Sequence, residues 1–156
     1  MPDVVDVDVV VIGAGFGGLY ALRTLRDGLG LNVQSLEDGD GVGGTWYWNR
    51  YPGARSDTEV NAYCYLSDKE LFEEWKWTER YPRQKEILAY LNHVTDRYDL
   101  RRSIKFQTRV VKTEFNEETG RWELETSTGE HYTAQFVIEG VGLLSSTNYP
   151  DFPGEK

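Results

Sequence analysis

Three glycines and one carboxylate carry the first chemistry in this sequence. Gly13, Gly15 and Gly18 spell GxGxxG within GAGFGG, and Glu37 follows nineteen residues after Gly18. At this spacing the glycines have separate physical roles. Gly13 permits a tight turn, Gly15 lets backbone approach a pyrophosphate, and Gly18 lets a helix pack close to a strand. The start of that helix then offers free N–H groups and the positive end of its dipole to the phosphates. A carboxylate at position 37 can accept hydrogen bonds from both ribose hydroxyls of an adenosine and repels a 2′-phosphate. The pattern points to an adenine dinucleotide without that phosphate. FAD and NAD both satisfy it.

The second stretch is GGTWYWNRYPGARSD, residues 43–57. It holds two tryptophans, two tyrosines, two arginines, three glycines and a proline in fifteen residues. It has neither helical nor strand periodicity. Aromatic density this high argues against a disordered linker. Arg50 and Arg55 fit two jobs equally: holding the loop through carbonyl oxygens, or facing phosphate.

The surrounding elements must position these residues. Residues 7–12, VDVVVI, read as a strand buried on both faces. Leu19, Leu22, Leu25 and Leu29 recur at helical spacing, with Gly28 and Gly30 closing the helix. LNVQSLE at 31–37 reads as a second strand. Residues 7–37 therefore form a βαβ dinucleotide unit. Residues 38–63 form a long loop with five glycines and one proline, a length that in a compact domain marks function. Helices occupy 67–99. Ser67 and Glu70 make a capping box, and Ile87, Leu88, Leu91, Val94 and Tyr98 share a helix face. Residues 104–139 change to period two and read as strands, IKFQTRVVKTEF, RWELETS and HYTAQFVIE, with glycine turns between them. Trp122, Leu124 and Thr126 share one face. Residues 143–156 read as an exit segment. The class is α/β with an antiparallel insert.

Composition narrows the functions. The 156 residues suffice for one domain with a core. The formal net charge of −9 argues against nonspecific binding to nucleic acid or to an anionic membrane. No apolar run is long enough to span a bilayer, and the acidic N-terminus lacks a signal-peptide n-region. The single cysteine, Cys64, cannot form an internal disulfide, so a cytoplasmic location is expected. No Cys/His set has metal-ligand spacing. His93 and His131 lack partners for acid–base chemistry.

The block GDGVGGTWYWNRYPGARSD at 39–57, joined to the GxGxxG turn, resembles the flavin-binding block of class B flavoprotein monooxygenases, and most closely the Baeyer–Villiger monooxygenases. The likeness continues through WKWTERYPRQKEILAYLNHVTDRYDLRRSIKFQTRV to GLLSSTNYPDFPG, so it covers nearly the whole chain. It implies a Rossmann-like FAD/NAD(P)-binding three-layer domain with a parallel sheet, helices and an antiparallel β-meander insert, incomplete at its C-terminal side. It implies FAD as the bound dinucleotide, with Gly13, Gly15, Phe16 and Gly18 at the pyrophosphate and Glu37 on the ribose. Gly44, Thr45 and Trp46 are implied on the flavin side. Asp57 and Tyr63 are implied near the isoalloxazine, and the backbone of Val110 at the adenine. NADPH, O2 and a ketone are the family's other reactants, and the product is an ester or lactone. Asp57 carries the catalytic assignment, orienting an arginine that the family supplies from a later part of the chain.

Departures accompany the likeness. Ser56 stands where relatives commonly have Cys, and little effect is expected from it. In VIEGVG, residues 137–142, Glu139 and Gly140 precede the glycine that matches the family's A-T-G, which questions the crossover there. No second GxGxxG follows, so the chain reads as the N-terminal portion of a monooxygenase, incompetent alone for the full reaction. Two rival readings stand beside it: a fragment of an N- or S-oxidising flavin monooxygenase, and a non-catalytic dinucleotide-binding module. The sequence leaves the ketone and the oligomeric state open.

Overall fold

The computed structural model describes residues 4–146 and 148–154. Strand β1 (Val4–Ile12) leads through the glycine turn into helix α1 (Phe16–Arg23). The helix continues as a π-helical turn over Thr24–Gly28, and β2 (Val33–Leu36) follows. The 38–63 loop contains a single-turn helix α2 (Thr45–Trp48) and a 3-10 turn (Val60–Ala62). Helices α3 (Lys69–Glu74) and α4 (Gln84–Arg97) come next, then β3 (Ile104–Lys105), β4 (Val110–Asn116), β5 (Arg121–Thr126) and β6 (His131–Glu139).

The six strands form one sheet in the order β3-β2-β1-β6-β5-β4. β1 is parallel to both β2 and β6, and β2 is parallel to β3. β5 is antiparallel to β4 and β6. The chain thus builds outward from β1 to one edge, crosses to β4 at the opposite edge and returns inward through β5 to β6, so the strand order reverses between β1 and β6. Such a reversal opens a crevice at the carboxyl ends of the central strands, here β1 and β6.

Alternation along β1 sorts the core. Val9 and Val11 face α1, α3 and α4, packing with Leu19, Leu22, Leu71, Ile87, Leu91 and Val94. Val10 takes the other face with Leu36, Leu124, Tyr132 and Ala134.

Four expectations change. IKFQTRVVKTEF is not one strand: β3 lies at one edge of the sheet and β4 at the other. The break falls where Gln107 turns to φ +52 and gives its N–H to the Gly39 carbonyl at 2.9 Å. Leu29 is 66% exposed, because the helix has already widened into a π turn over Thr24–Gly28 and ended. Glu139 raises no conflict: it is exposed, and the strand keeps register with β1 through the Ile12–Glu139 pair.

The fourth change concerns the cap of α3, which is Asp68 rather than Ser67. Its carboxylate accepts from the Leu71 N–H at 2.9 Å and from Arg23 Nη2 at 2.7 Å, and Tyr98 Oη donates to it as well. A charged acceptor with three donors outcompetes a hydroxyl. The Leu71 amide, the Tyr98 hydroxyl and Arg23 hold the Asp68 pKa down to about 2, against a smaller opposing effect of burial. The side chain is 12% exposed. A depressed carboxylate contributes stability that is complete above its unfolded pKa and lost as pH falls through the folded one. Asp68→Asn is therefore expected to cost roughly 2 kcal/mol near neutrality. In urea melts across pH, the gap between the two proteins should close between about pH 4 and pH 2. A gap independent of pH would contradict this.

Candidate functional site

A cleft of about 740 Å³ opens at the carboxyl ends of β1 and β6. Its size suits a bound small molecule. Five short segments line it. They are the glycine turn 12–17, residues 36–38 at the end of β2, the loop 43–49 with Tyr63, residues 108–110, and residues 140–146.

The turn is built by backbone contact. Gly13 has φ +99, and a Cβ placed on it would lie 2.6 Å from the Gly140 carbonyl oxygen. A Cβ on Gly18 would lie 2.0 Å from the Gly13 carbonyl oxygen, and one on Gly140 would meet Gly18 at 3.2 Å. Gly13, Gly18 and Gly140 thus form one close-packed junction of β1, α1 and β6. A Cβ on Gly140 would also lie 2.9 Å from the Ile12 carbonyl oxygen, so in this chain a side chain there requires the junction to shift. Gly18 supports the cleft from behind and does not line it.

Gly15 faces the aromatic loop. A Cβ on Gly44 would lie 2.9 Å from the Gly15 Cα, and Gly43 N–H donates to the Ala14 carbonyl at 2.9 Å. The two glycine segments form one continuous backbone surface. Thr45, Trp46, Trp48 and Asn49 extend it.

Glu37 is buried, at 5% exposure. Its Oε2 accepts from the Ala14 N–H at 2.7 Å, and its Oε1 accepts from the Gly39 N–H at 2.8 Å. It braces the glycine turn and the start of the loop together. A carboxylate has about four acceptor sites, so each oxygen keeps capacity toward the cleft that Glu37 lines.

The aromatic end is held by a hydrogen-bonded chain. Trp46, 8% exposed, donates Nε1–H to Tyr63 Oη at 3.0 Å. Gln84, at the start of α4, donates Nε2–H to the Trp46 carbonyl. Tyr63 packs edge-on against Phe16 with ring centroids 4.9 Å apart. Tyr65 Oη donates to the Phe16 carbonyl at 2.6 Å and its N–H donates to Tyr90 Oη. Burial pushes the Tyr90 phenol up to about 12 and the Tyr65 phenol up as well. Both are neutral near neutrality, as a network of O–H donors requires.

Of the candidate residues, Gly13, Gly15, Phe16, Glu37, Gly44, Thr45, Trp46, Tyr63 and Val110 all line the cleft. Asp57 does not: it is exposed, and its Oδ1 lies 3.4 Å from Thr58 Oγ1. Arg50 stacks on the Tyr47 ring and donates to the Tyr47 carbonyl. Arg55 pairs with Glu79 at 2.9 Å. Both arginines hold the loop. Ser56, 4% exposed, donates to the Thr58 carbonyl and accepts from the Thr58 N–H, so its hydroxyl shapes the turn that carries Asp57. Cys64 is half-buried and burial raises its thiol pKa, which disfavours a nucleophilic thiolate. Among the described residues no group of His, Cys, Asp and Glu could hold a metal. None of the described helices is long and apolar enough to cross a membrane.

Asp38, Thr108, Arg109 and Gly140 are among the lining residues that the sequence reading does not single out. Asp38 adjoins Glu37, and Arg109 sits in the TRV stretch that carries Val110. Those adjacencies were the available signal.

The model of the pyridine nucleotide-disulphide oxidoreductases matches residues 10–156. The chain belongs to that family. Within this oxidoreductase family the resemblance to Baeyer–Villiger monooxygenases holds along nearly the full chain. A Baeyer–Villiger monooxygenase of Pseudooceanicola batsensis is 55% identical over 149 residues, covering 96% of the chain and 27% of that protein. A phenazine N-monooxygenase of Lysobacter antibioticus is 48% identical, covering 94% of the chain and 27% of that protein. A closed crystal structure of cyclohexanone monooxygenase superposes with a TM-score of 0.93 at 49% identity, covering 97% of this chain and 29% of that one. A structure of OTEMO in complex with FAD and NADP superposes at 0.87 with 41% identity, covering 99% and 29%. The chain therefore spans little more than a quarter of the length of these relatives.

Proposed function

We propose that the chain binds FAD and serves as the flavin-binding part of an NADPH- and O2-dependent monooxygenase that converts ketones to esters or lactones. One observation carries the reading. Glu37, the close-packed Gly15 and Gly44, and Trp46 with Tyr63 all line the one cleft. These are an acid for a ribose, bare backbone for a pyrophosphate and an aromatic wall for a ring. The Gly15–Gly44 surface leaves no room for a Cβ and so fits a ligand that must approach backbone closely.

When bound, the flavin supplies the redox chemistry. The residues here bind and orient it. Glu37 accepts ribose hydroxyls, the start of α1 faces the phosphates, and Trp46 and Tyr63 exclude water from the ring end. Asp57 is exposed and outside the cleft lining, and it is proposed to orient a cation supplied by a later part of the complete protein. NADPH and the ketone are proposed for the complete protein, whose location is proposed to be cytoplasmic. A second reading, oxidation at nitrogen, is favoured by the phenazine N-monooxygenase likeness.

The purified chain, mixed with excess FAD and desalted, is expected to keep visible flavin absorbance at close to one FAD per chain. A colourless protein that is nonetheless folded by circular dichroism would overturn the FAD reading.

A further inference from the structure

We infer that Asp38 and Arg109 form a paired gate at the adenosine end of the cleft, selecting adenine nucleotides whose ribose carries no 2′-phosphate. The inference rests on the reading of the cleft as a dinucleotide site and names a specificity device within it.

The two side chains meet across the cleft mouth. Arg109 Nη1 lies 3.3 Å from Asp38 Oδ2, and both residues line the cleft beside Glu37. Among the described lining residues Arg109 is the one cation. The pair is exposed, at 69% for Arg109 and 48% for Asp38. Ion pairs this exposed contribute about 1 kcal/mol or less to folding, so stability does not account for its placement.

The backbone beneath the pair is fixed. Glu37 N–H donates to the Lys105 carbonyl, Thr108 N–H to the Glu37 carbonyl and Gln107 N–H to the Gly39 carbonyl, each at 2.9 Å. On its other side Arg109 N–H donates to Ser127 Oγ, and Ser127 N–H donates to the Arg109 carbonyl at 2.8 Å. Arg109 is therefore carried on backbone tied both to the segment bearing Glu37 and Asp38 and to the turn after β5.

Electrostatics supply the selection. Glu37 is locked in place by two backbone N–H groups, and Asp38 by contrast is compensated by Arg109. The end of the cleft keeps one net negative charge. A neutral ribose meets Glu37 acceptors and a guanidinium face on which a base can stack. A 2′-phosphorylated ribose would add charge beside Glu37 and would have to displace Asp38 from Arg109. Without the Asp38 carboxylate, the freed guanidinium fork would match a phosphate.

Calorimetric titration with ADP and with adenosine 2′,5′-bisphosphate tests the gate in the wild-type chain, Asp38→Asn, Arg109→Ala and the double variant. Both side chains are exposed, so thermal melts should be unchanged. Wild type should prefer ADP. Asp38→Asn should shift the preference toward the bisphosphate by about tenfold. The double variant should lose that shift, because the fork that captures the phosphate is gone. If wild type binds ADP but Asp38→Asn leaves the preference within about twofold, or the shift survives in the double variant, the gate is overturned alone. If wild type binds neither ADP nor FAD, the dinucleotide reading falls and the gate with it.

Discussion

Gly18→Ala is expected to yield a chain that no longer folds cooperatively. The added Cβ would sit 2.0 Å from the Gly13 carbonyl oxygen and 2.8 Å from its carbon. Both are backbone atoms, so no rotamer change relieves the overlap. Relief requires α1 to lift off β1, and α1 carries Leu19 and Leu22 into the core beside Val9 and Val11. Shifting Gly13 instead is blocked by the Gly140 carbonyl on its other side. The cost should exceed about 4 kcal/mol, the upper end for single substitutions. The whole stability of a domain is on the order of 5–15 kcal/mol. Urea denaturation followed by circular dichroism reads the effect. Gly17→Ala is the internal control: nothing lies within 4 Å of its Cβ position, and alanine is a better helix former by about 1 kcal/mol. A Gly18→Ala protein melting beside the Gly17→Ala protein would show that the three-glycine junction is not tight.

Glu37→Ala is expected to be damaging twice over. It removes the acceptor for the Ala14 and Gly39 amides, and Glu37 itself is buried. Bonds to a charged acceptor contribute roughly 1.5–3 kcal/mol each. The loss should therefore come to about 3–5 kcal/mol, discounted for water entering from the cleft. Glu37→Gln separates the two roles. Its amide keeps one acceptor but turns an N–H toward a backbone N–H, so stability should fall less while ribose recognition is still lost. The expected signature is a Gln variant that folds yet retains far less FAD after desalting than wild type. A Gln variant retaining FAD as wild type does would confine Glu37 to bracing the turn.

Much of the dinucleotide unit was legible in the residues themselves. A β-branched run, a GxGxxG turn, leucines at helical spacing and an acid at the next strand end each carry a local physical signal, and local signals survive in a single sequence. The antiparallel part was legible as strands but not as an arrangement. Period two at 104–116 is the same whether one strand runs through or the chain crosses from one sheet edge to the other. Only the bonds of Gln107 to Gly39 and Thr108 to Glu37 decide that. Ser67 looked like a cap because its spacing to Glu70 is right, but Arg23 and Tyr98, distant in sequence, favour Asp68. The same applies at the site. Gly140 read as an anomaly because its reason is a contact with Gly13 and Gly18, more than a hundred residues away.

By itself, then, the sequence determined the chemistry on offer: glycines for close approach, a carboxylate and an aromatic loop. Its local periodicity determined the elements that present them. Tertiary structure decided which of those groups share one cleft. It set Arg50 and Arg55 to holding the loop, left Asp57 outside the lining and brought Arg109 opposite Asp38. The physical reason is that hydrogen-bond and ion-pair partners are chosen by distance in space, and spacing along the chain reports distance only within an element or a turn.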